Sequence, residues 1–484
     1  MDIITLLETL MNGLLDAEDK FLSNPTDFYS LEASVKSTTE SFAAGFLGCI
    51  LSSVNQQICK NGWRKGKYKI QRTDRRTLIS SVGDVSFDCT YFESITQPGS
   101  YRYLLEDFLS LGRHERFTVG GEVALLSEAL KTSYEEATLA IPSHSKITRT
   151  TVMNKVHQLA EFIPIPQAEK KKQVPYLFIE ADEDHVAEQH GRWNNKSANG
   201  SFISRLVYVY EYKKESSESK GRKELVNTYY FGGLYEGTKG IEKLWNEVAS
   251  FIGENYDFDT LEKVYISGDG ANWIQKGTEY IEKSVYCIDR FHLMKYINSA
   301  SNQMMDEGCI AKAEIYRLLY GKHKKEFKQY TQAMLNSANN PDSIEILRRY
   351  VINNWSAIMR TLHDKEFCGC SAEGHVSHVL SERLSSRPKG WSQTGADRMS
   401  RLRCYEKNYG RDSIVELVKY SREQRELKRT GTDDCAINYK EFSMADIKEK
   451  HNNQARVYFD RIQASVPGVT VRKIASIRTR LTNL

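Results

Sequence analysis

Three short stretches carry acids whose type and spacing suit metal chemistry. In "VYISGDGANWI" (264–274) a β-branched run closes on Asp269 between two glycines, which offers a carboxylate at the tip of a strand. In "PYLFIEAD" (175–182) a second apolar run closes on Asp182, with Asp184 two residues further as a rival for the same place. In "GCSAEGHVSHVLSERLSSRPKGWS" (369–392) two glutamates compete. At about 100° per residue, Glu373 falls at the centre of the stripe formed by Val376, Leu380 and Leu384, and Glu382 lies about half a turn round. An acid on the buried side of a helix is expensive unless it is paired or metal-bound, which favours Glu373 and leaves Glu382 to the surface. Three converging carboxylates suit hard cations, two Mg²⁺ or Mn²⁺ ions, which can activate a hydroxyl and stabilise a leaving oxygen in phosphodiester chemistry. The plainer role for Asp269 is a turn aspartate capping the next helix.

Other clusters bear on the same region. His363, Cys368, Cys370, His375 and His378 crowd into "HDKEFCGCSAEGHVSH" and make a zinc-binding module an alternative, although Cys-x-Cys is tighter than the usual structural spacing. In "CIDRFHLMKYI" Asp289 and His292 stand i to i+3, on one side of a first helical turn and within reach of each other. The plain reading there is an Asp N-cap with a histidine packed nearby.

The elements that must position these acids follow in a telling order. "PYLFIEAD", "SFISRLVYVYEYKKE" and "ELVNTYYFGGLYE" read as three strands and "IEKLWNEVASFIGEN" as an amphipathic helix. "VYISGD" is a fourth strand, "NWIQKGTEYI" a helical connection and "SVYCID" a fifth strand. A β-β-β-α-β-α-β order is that of an α/β ribonuclease-H-like core, over residues 174–290, whose first and fourth strands end on Asp182 and Asp269. The charged helical sequence of 291–365 reads as an inserted all-α domain, and 366–430 as the last part of the core.

Upstream, residues 1–60 carry helical spacing, and 61–163 read as a DNA-binding region. It opens on the basic "KNGWRKGKYKIQRTDRR" and a hairpin joined at Gly83-Asp84, with Arg64, Lys65, Arg75 and Arg76 placed to grip phosphates. A solvated, charged hairpin is the bland alternative. A helix over 122–130, a second opened by the "SYEE" capping box at Ser133 and a third with Val152, Val156 and Leu159 inward make a helix-turn-helix pattern. Lys146, Arg149, Asn154 and Lys155 fall at or on its third helix; a plain three-helix subdomain is the alternative. "PIPQAEKKKQVP" reads as a linker, and 431–484 as a C-terminal tail without a functional motif.

Composition fits this reading. The chain has 484 residues, 40% hydrophobic and 11% aromatic, enough for a core. A net charge of +4 says little about partners, and nine scattered cysteines suit reduced thiols. No apolar run of membrane-spanning length is evident, and the acidic N-terminus does not resemble a signal peptide, which predicts a cytoplasmic protein with no membrane partner.

Taken together, "FIEADEDHVA", "YISGDGANWI", "CIDRFHLMKYI" and the "SAEGHVSH" and "SSRPKGWS" segments resemble the bacterial insertion-sequence DDE transposases of the ISLre type, related to the wider Mutator-like group. The resemblance runs from the basic hairpin to roughly residue 430. It implies a catalytic and metal-binding triad of Asp182, Asp269 and Glu373, a helical insertion before the glutamate, and a Cys/Asp-x-x-His motif carried by Asp289 and His292. Some relatives have glycine after the first acid where this chain has Glu183. The resemblance further implies cleavage and strand transfer at terminal inverted repeats with Mg²⁺ or Mn²⁺, double-stranded DNA as partner, a homodimer or higher oligomer on DNA, and a place at the bacterial nucleoid. In this frame His292 lies near the metal site with Asp289 orienting its ring. A transposase-derived protein that binds DNA without cutting remains the alternative, one that needs no acidic triad.

Overall fold

The computed structural model describes residues 2–109, 111–112, 115–189, 200–216, 223–338, 340–386, 390–430 and 444–461. The chain divides into two units, Met1–Lys155 with Val415–Leu484, and Val156–Ile414.

In the first unit, helices Ile3–Ser23 and Phe28–Lys60 lead into an antiparallel sheet of β1 (Tyr68–Ser80), β2 (Gly83–Ser94) and β3 (Tyr101–Tyr103). The hairpin is longer than expected. Pairing runs from Tyr68 opposite Ser94 to Ser80 opposite Gly83, so the basic stretch forms most of β1 and the turn falls at residues 81–82. Asp84, expected in the turn, instead accepts from the backbone N–H groups of His144 (3.1 Å) and Ser145 (2.9 Å) and fastens the turn at residues 142–146. Phe28–Lys60 is, by length and composition, apolar enough to cross a membrane, contrary to the expectation of no such run. It packs on β2, where the side chain of buried Asn55 takes the amide of Thr90 at 3.0 Å and donates to its hydroxyl at 2.9 Å.

The three short helices lie close to their expected places, at Val119–Ala129, Tyr134–Ala137 and Arg149–Leu159. Thr118 caps the first, which therefore starts three residues early, and Ser133 caps the second through the amide of Glu136 at 3.0 Å. Val152, Val156 and Leu159 are buried, as their spacing predicts.

The second unit is built on a mixed five-stranded sheet. Its strands are β4 (Tyr176–Ala187), β5 (Ser201–Tyr210), β8 (Tyr229–Gly233), β9 (Lys263–Gly268) and β10 (Ser284–Ile288). A small ribbon of β6 (Tyr212–Glu215) and β7 (Lys223–Val226) extends the β5–β8 connection. β4, β5 and β8 pair antiparallel, and β9 and β10 run parallel to β4. Period-two alternation splits β4 in two. Leu177, Ile179 and Ala181 join a core with Leu244, Trp245 and Val248 of helix Gly237–Asn255. The opposite face carries Phe178, Glu180, Asp182 and Asp184. The helix Gln393–Tyr409 packs on β8 there, with the Ser204 and Ser400 hydroxyls 2.9 Å apart in the interior.

Between β10 and the last core helices the chain is helical throughout, in Arg290–Ser301, Gly308–Tyr320, Lys324–Ser337, Pro341–Asn353 and Trp355–His363. Its apolar residues Leu293, Ile315, Phe327 and Leu347 are continuous with the core on the Trp245 side of the sheet. Of the expected tail, 431–443 and 462–484 lie outside the described residues, and Ala445–Arg461 is a helix.

Candidate active site

The Gly-Asp-Gly tip of β9 is shaped by two different constraints. A side chain at Gly268 would meet the Ala181 carbonyl oxygen at 2.9 Å, because β4 passes against it, and Gly270 holds φ +108°. Between them Asp269 accepts the amide of Ala271 at 2.9 Å, the turn role expected of such a residue. The Tyr350 hydroxyl, from the helical insertion, donates to the Asp269 carbonyl at 2.8 Å and fixes the turn from outside.

Parallel pairing then brings a second acid alongside. Glu180 of β4 lies opposite Ser267 of β9, and the same register continued by two residues sets Asp182 beside Asp269. Burial above all, with the neighbouring Asp269 carboxylate, pushes the Asp182 carboxyl up to about 6, against the opposing pull of the Glu183 amide and of His292. Asp184, the rival, is 7% exposed and engaged elsewhere, accepting from the hydroxyls of Ser381 (3.0 Å) and Ser385 (2.7 Å). Glu183 points the other way and accepts from the Trp273 indole at 3.0 Å.

Asp289 does both things open to it. The Asp289 amide donates to the Gly268 carbonyl at 2.8 Å, which anchors it next to the Asp269 turn. Its Oδ1 caps helix Arg290–Ser301 through the amide of Phe291 at 3.0 Å, and its Oδ2 holds His292 Nδ1 at 3.0 Å. That bond, together with the charges of Asp289, Asp269 and Asp182, holds the His292 pKa above its ordinary value against the effect of burial. The result is a mostly buried imidazole, biased toward the protonated form, close to two carboxylates.

Glu373 departs from expectation. Val376, Leu380 and Leu384 are buried as the stripe predicts, but Glu373 is exposed on the first turn of helix Ala372–Val376. A constant 100° per residue fails here because residues Ser377–Ser381 form a π turn that changes the phase. Arg403, buried in helix Gln393–Tyr409, takes the carbonyls of Val379 (2.9 Å) and His378 (2.6 Å) in that turn. Glu382 is a surface residue, as expected, and pairs with Arg403 at 2.7 Å.

Among the described residues no group of three or more His, Cys, Asp or Glu is gathered closely enough to hold a metal. The zinc alternative loses its geometry on this point: Cys370 is buried against Ser267, His375 bonds the Tyr230 hydroxyl at 2.8 Å, and Cys368 lies 3.4 Å from the Tyr210 hydroxyl. The acid pair also falls short of three ligands, but its donors are hard oxygens, the kind a divalent cation such as Mg²⁺ takes. Two hard oxygen donors sit side by side with Asp182 disfavoured in its ionised form, and Mg²⁺ commonly takes only one or two carboxylates, keeping waters and adding substrate phosphate.

The expected DNA contacts divide sharply. Lys65, Lys146, Arg149 and Asn154 are exposed. Lys155 is not available: it is 8% exposed and paired with Glu115 at 2.7 Å and Glu122 at 3.2 Å. Arg76 is likewise drawn inward by Glu106 and the Glu115 carbonyl. Arg64 braces the chain through the carbonyls of Cys59 and Tyr68, each at 3.0 Å, and Arg75 pairs with Asp88 at 3.0 Å on the open face of the hairpin. Sequence reasoning overlooked Glu180 and Lys213, a buried ion pair at 3.0 Å. The available signal was a charge inside the apolar run "YLFIEAD".

A model of the uncharacterised protein family UPF0236 matches residues 21–421. The chain is similar to a UPF0236 protein of Caldanaerobacter subterraneus subsp. tengcongensis, 35% identical over 410 residues, 84% of this chain and 83% of the relative, whose name carries eleven locus designations. A second UPF0236 protein of that organism, 35% identical over 402 residues and covering 82% of each chain, carries four. Among solved structures it is similar to the Drosophila P element transposase strand transfer complex at 11% identity, over 75% of this chain and 91% of that one, with a TM-score of 0.21, too slight a likeness to argue from.

Proposed function

We propose a function on the premise that the chain belongs to the UPF0236 family: it is a DDE transposase of an insertion sequence, acting on DNA by metal-dependent strand cleavage and strand transfer. The observation that carries the reading is the meeting of Asp182 and Asp269 at adjacent parallel strands with His292 close to both. A sheet of three antiparallel strands joined by two parallel ones, in the order β10-β9-β4-β5-β8, supports a ribonuclease-H-like core, and the ISLre type rests on the sequence resemblance alone. Relatives whose names carry eleven and four loci in one genome are what a self-copying element leaves behind.

In this reading Asp182 and Asp269, with Glu373, hold Mg²⁺ or Mn²⁺. Bound there, such ions would supply activation of water or a 3′-hydroxyl and stabilisation of the departing oxygen. His292, biased toward its protonated form and oriented by Asp289, faces the DNA backbone beside the reacting phosphate. Lys65, Lys146 and Arg149 contact phosphates, and Asn154 on the exposed side of the third short helix reads bases. The protein works in the bacterial cytoplasm at the nucleoid, as a dimer or higher oligomer on the element ends.

The exposed position of Glu373 is the one observation that favours the second reading, a transposase-derived protein that binds ends without cutting. Incubation with duplex DNA carrying the element's terminal inverted repeats separates the two. Wild type should nick or join it with Mn²⁺. Asp182→Asn, Asp269→Asn and Glu373→Gln should each abolish this with end binding kept, while Glu382→Gln stays active. A wild type that binds ends and cleaves nothing with either ion supports the second reading.

A further inference from the structure

Strand β4 carries three acids on one face, Glu180, Asp182 and Asp184, and only the middle one faces Asp269. The outer two are buried, at 1% and 7% exposure. Glu180 accepts from the Ser371 amide (2.6 Å), the Ser371 hydroxyl (3.0 Å), the Tyr210 hydroxyl (2.6 Å) and the Tyr208 hydroxyl, and pairs with Lys213 at 3.0 Å. Lys213 also donates to the Gly369 carbonyl at 3.0 Å. These bonds seize the chain where it returns from the helical insertion, two residues before Glu373. Asp184 seizes the other end of the same helical run through Ser381 and Ser385.

We infer that Glu180 and Asp184 are positioning residues, which fasten the helical run 372–384 to β4 at both ends and so fix where Glu373 stands relative to the Asp182–Asp269 pair. The inference rests on the reading of Glu373 as the third acid. A buried carboxylate with five polar partners is costly to place and costly to disturb. Between the two clamps the π turn Ser377–Ser381 is itself braced by Arg403, so the run is held along its length and Glu373 stands next to the Ser371 clamp.

Amide hydrogen exchange on the full-length protein, read by peptide mass, tests the clamps without requiring activity. Glu180→Gln should speed exchange at 371–376 by tenfold or more and leave 381–385 slow, and Asp184→Asn should do the reverse. Peptides of β4 and β5 should exchange as in wild type. Ser371→Ala, which removes one hydroxyl and keeps the buried acid, should give a smaller change at 371–376 alone. In cleavage assays both acid variants should raise the Mn²⁺ concentration for half-maximal rate while end affinity holds. Unchanged exchange in both variants, or faster exchange throughout the sheet, overturns the inference. A wild type inactive with every metal would defeat the transposase reading, and the exchange data would still decide whether the clamps exist.

Discussion

Replacing Asp182 by Asn should make the protein more stable at neutral pH, the signature of an acid kept for chemistry at the expense of the fold. Burial and Asp269 move the Asp182 pKa from an ordinary 3.8 to about 6. The folded state therefore binds this proton more tightly than the unfolded state, and stability is lost as pH rises from about 4 through about 6. A shift of roughly two units at about 1.36 kcal/mol each sets a ceiling of roughly 3 kcal/mol. Solvent reaching the partly open carboxylate screens part of it, leaving about 1–2 kcal/mol. Asn retains an oxygen for the Glu183 amide, which bonds Asp182 at 2.8 Å, so little else is disturbed. Urea denaturation at pH 7.5 with chelator should show the variant ahead by that amount, with a flatter pH profile between 4 and 6.5. Mn²⁺ should then stabilise wild type and leave the variant unmoved. A variant no more stable than wild type, or one stabilised equally by Mn²⁺, would refute the reasoning.

Lys155→Met should cost about 1.5–3 kcal/mol by removing the ammonium shared by Glu115 and Glu122, which keep Arg425 (4.0 Å) and Arg422 (2.6 Å) respectively, with no change in the salt dependence of DNA binding. Lys146→Ala and Arg149→Ala should stay within about 0.5 kcal/mol of wild type in urea and each reduce the slope of log affinity against log salt by about 0.9; the opposite pattern in anisotropy titrations would return Lys155 to the DNA surface. For His292, the raised folded pKa means its stabilising contribution is complete below about 6.5 and fades as pH rises through the folded value. Asp289→Asn keeps the helix cap and should lower the His292 pKa, measured by NMR titration and by loss of that pH dependence; identical titration in both proteins would separate Asp289 from the ring.

Local chemistry made much of this legible before the structure. Asp269 stood out because an apolar run met two glycines, and each glycine proves to answer a separate constraint at the strand tip. Ser133 as a cap and the inward Val152, Val156 and Leu159 needed only near neighbours. What escaped depended on partners distant in sequence or on a broken period. Lys155 looked like a surface base because Glu115 and Glu122 lie far upstream. Glu180 had no visible partner until the β4–β5 register placed Tyr208 opposite it. The Glu373 stripe was correct for its apolar members and wrong for the acid, since the π turn at Ser377–Ser381 is set by Arg403 and Asp184 and leaves no local signature.

Strand transfer by the full-length protein tests most directly whether the Asp182–Asp269 pair does phosphodiester chemistry. Pre-cleaved element ends bearing a free 3′-hydroxyl would be incubated with supercoiled target DNA and Mn²⁺, using wild type and Asp269→Asn at matched end occupancy. The geometry predicts joined product with wild type, none with chelator, and none with Asp269→Asn despite full binding. Joining by Asp269→Asn at the wild-type rate would contradict it.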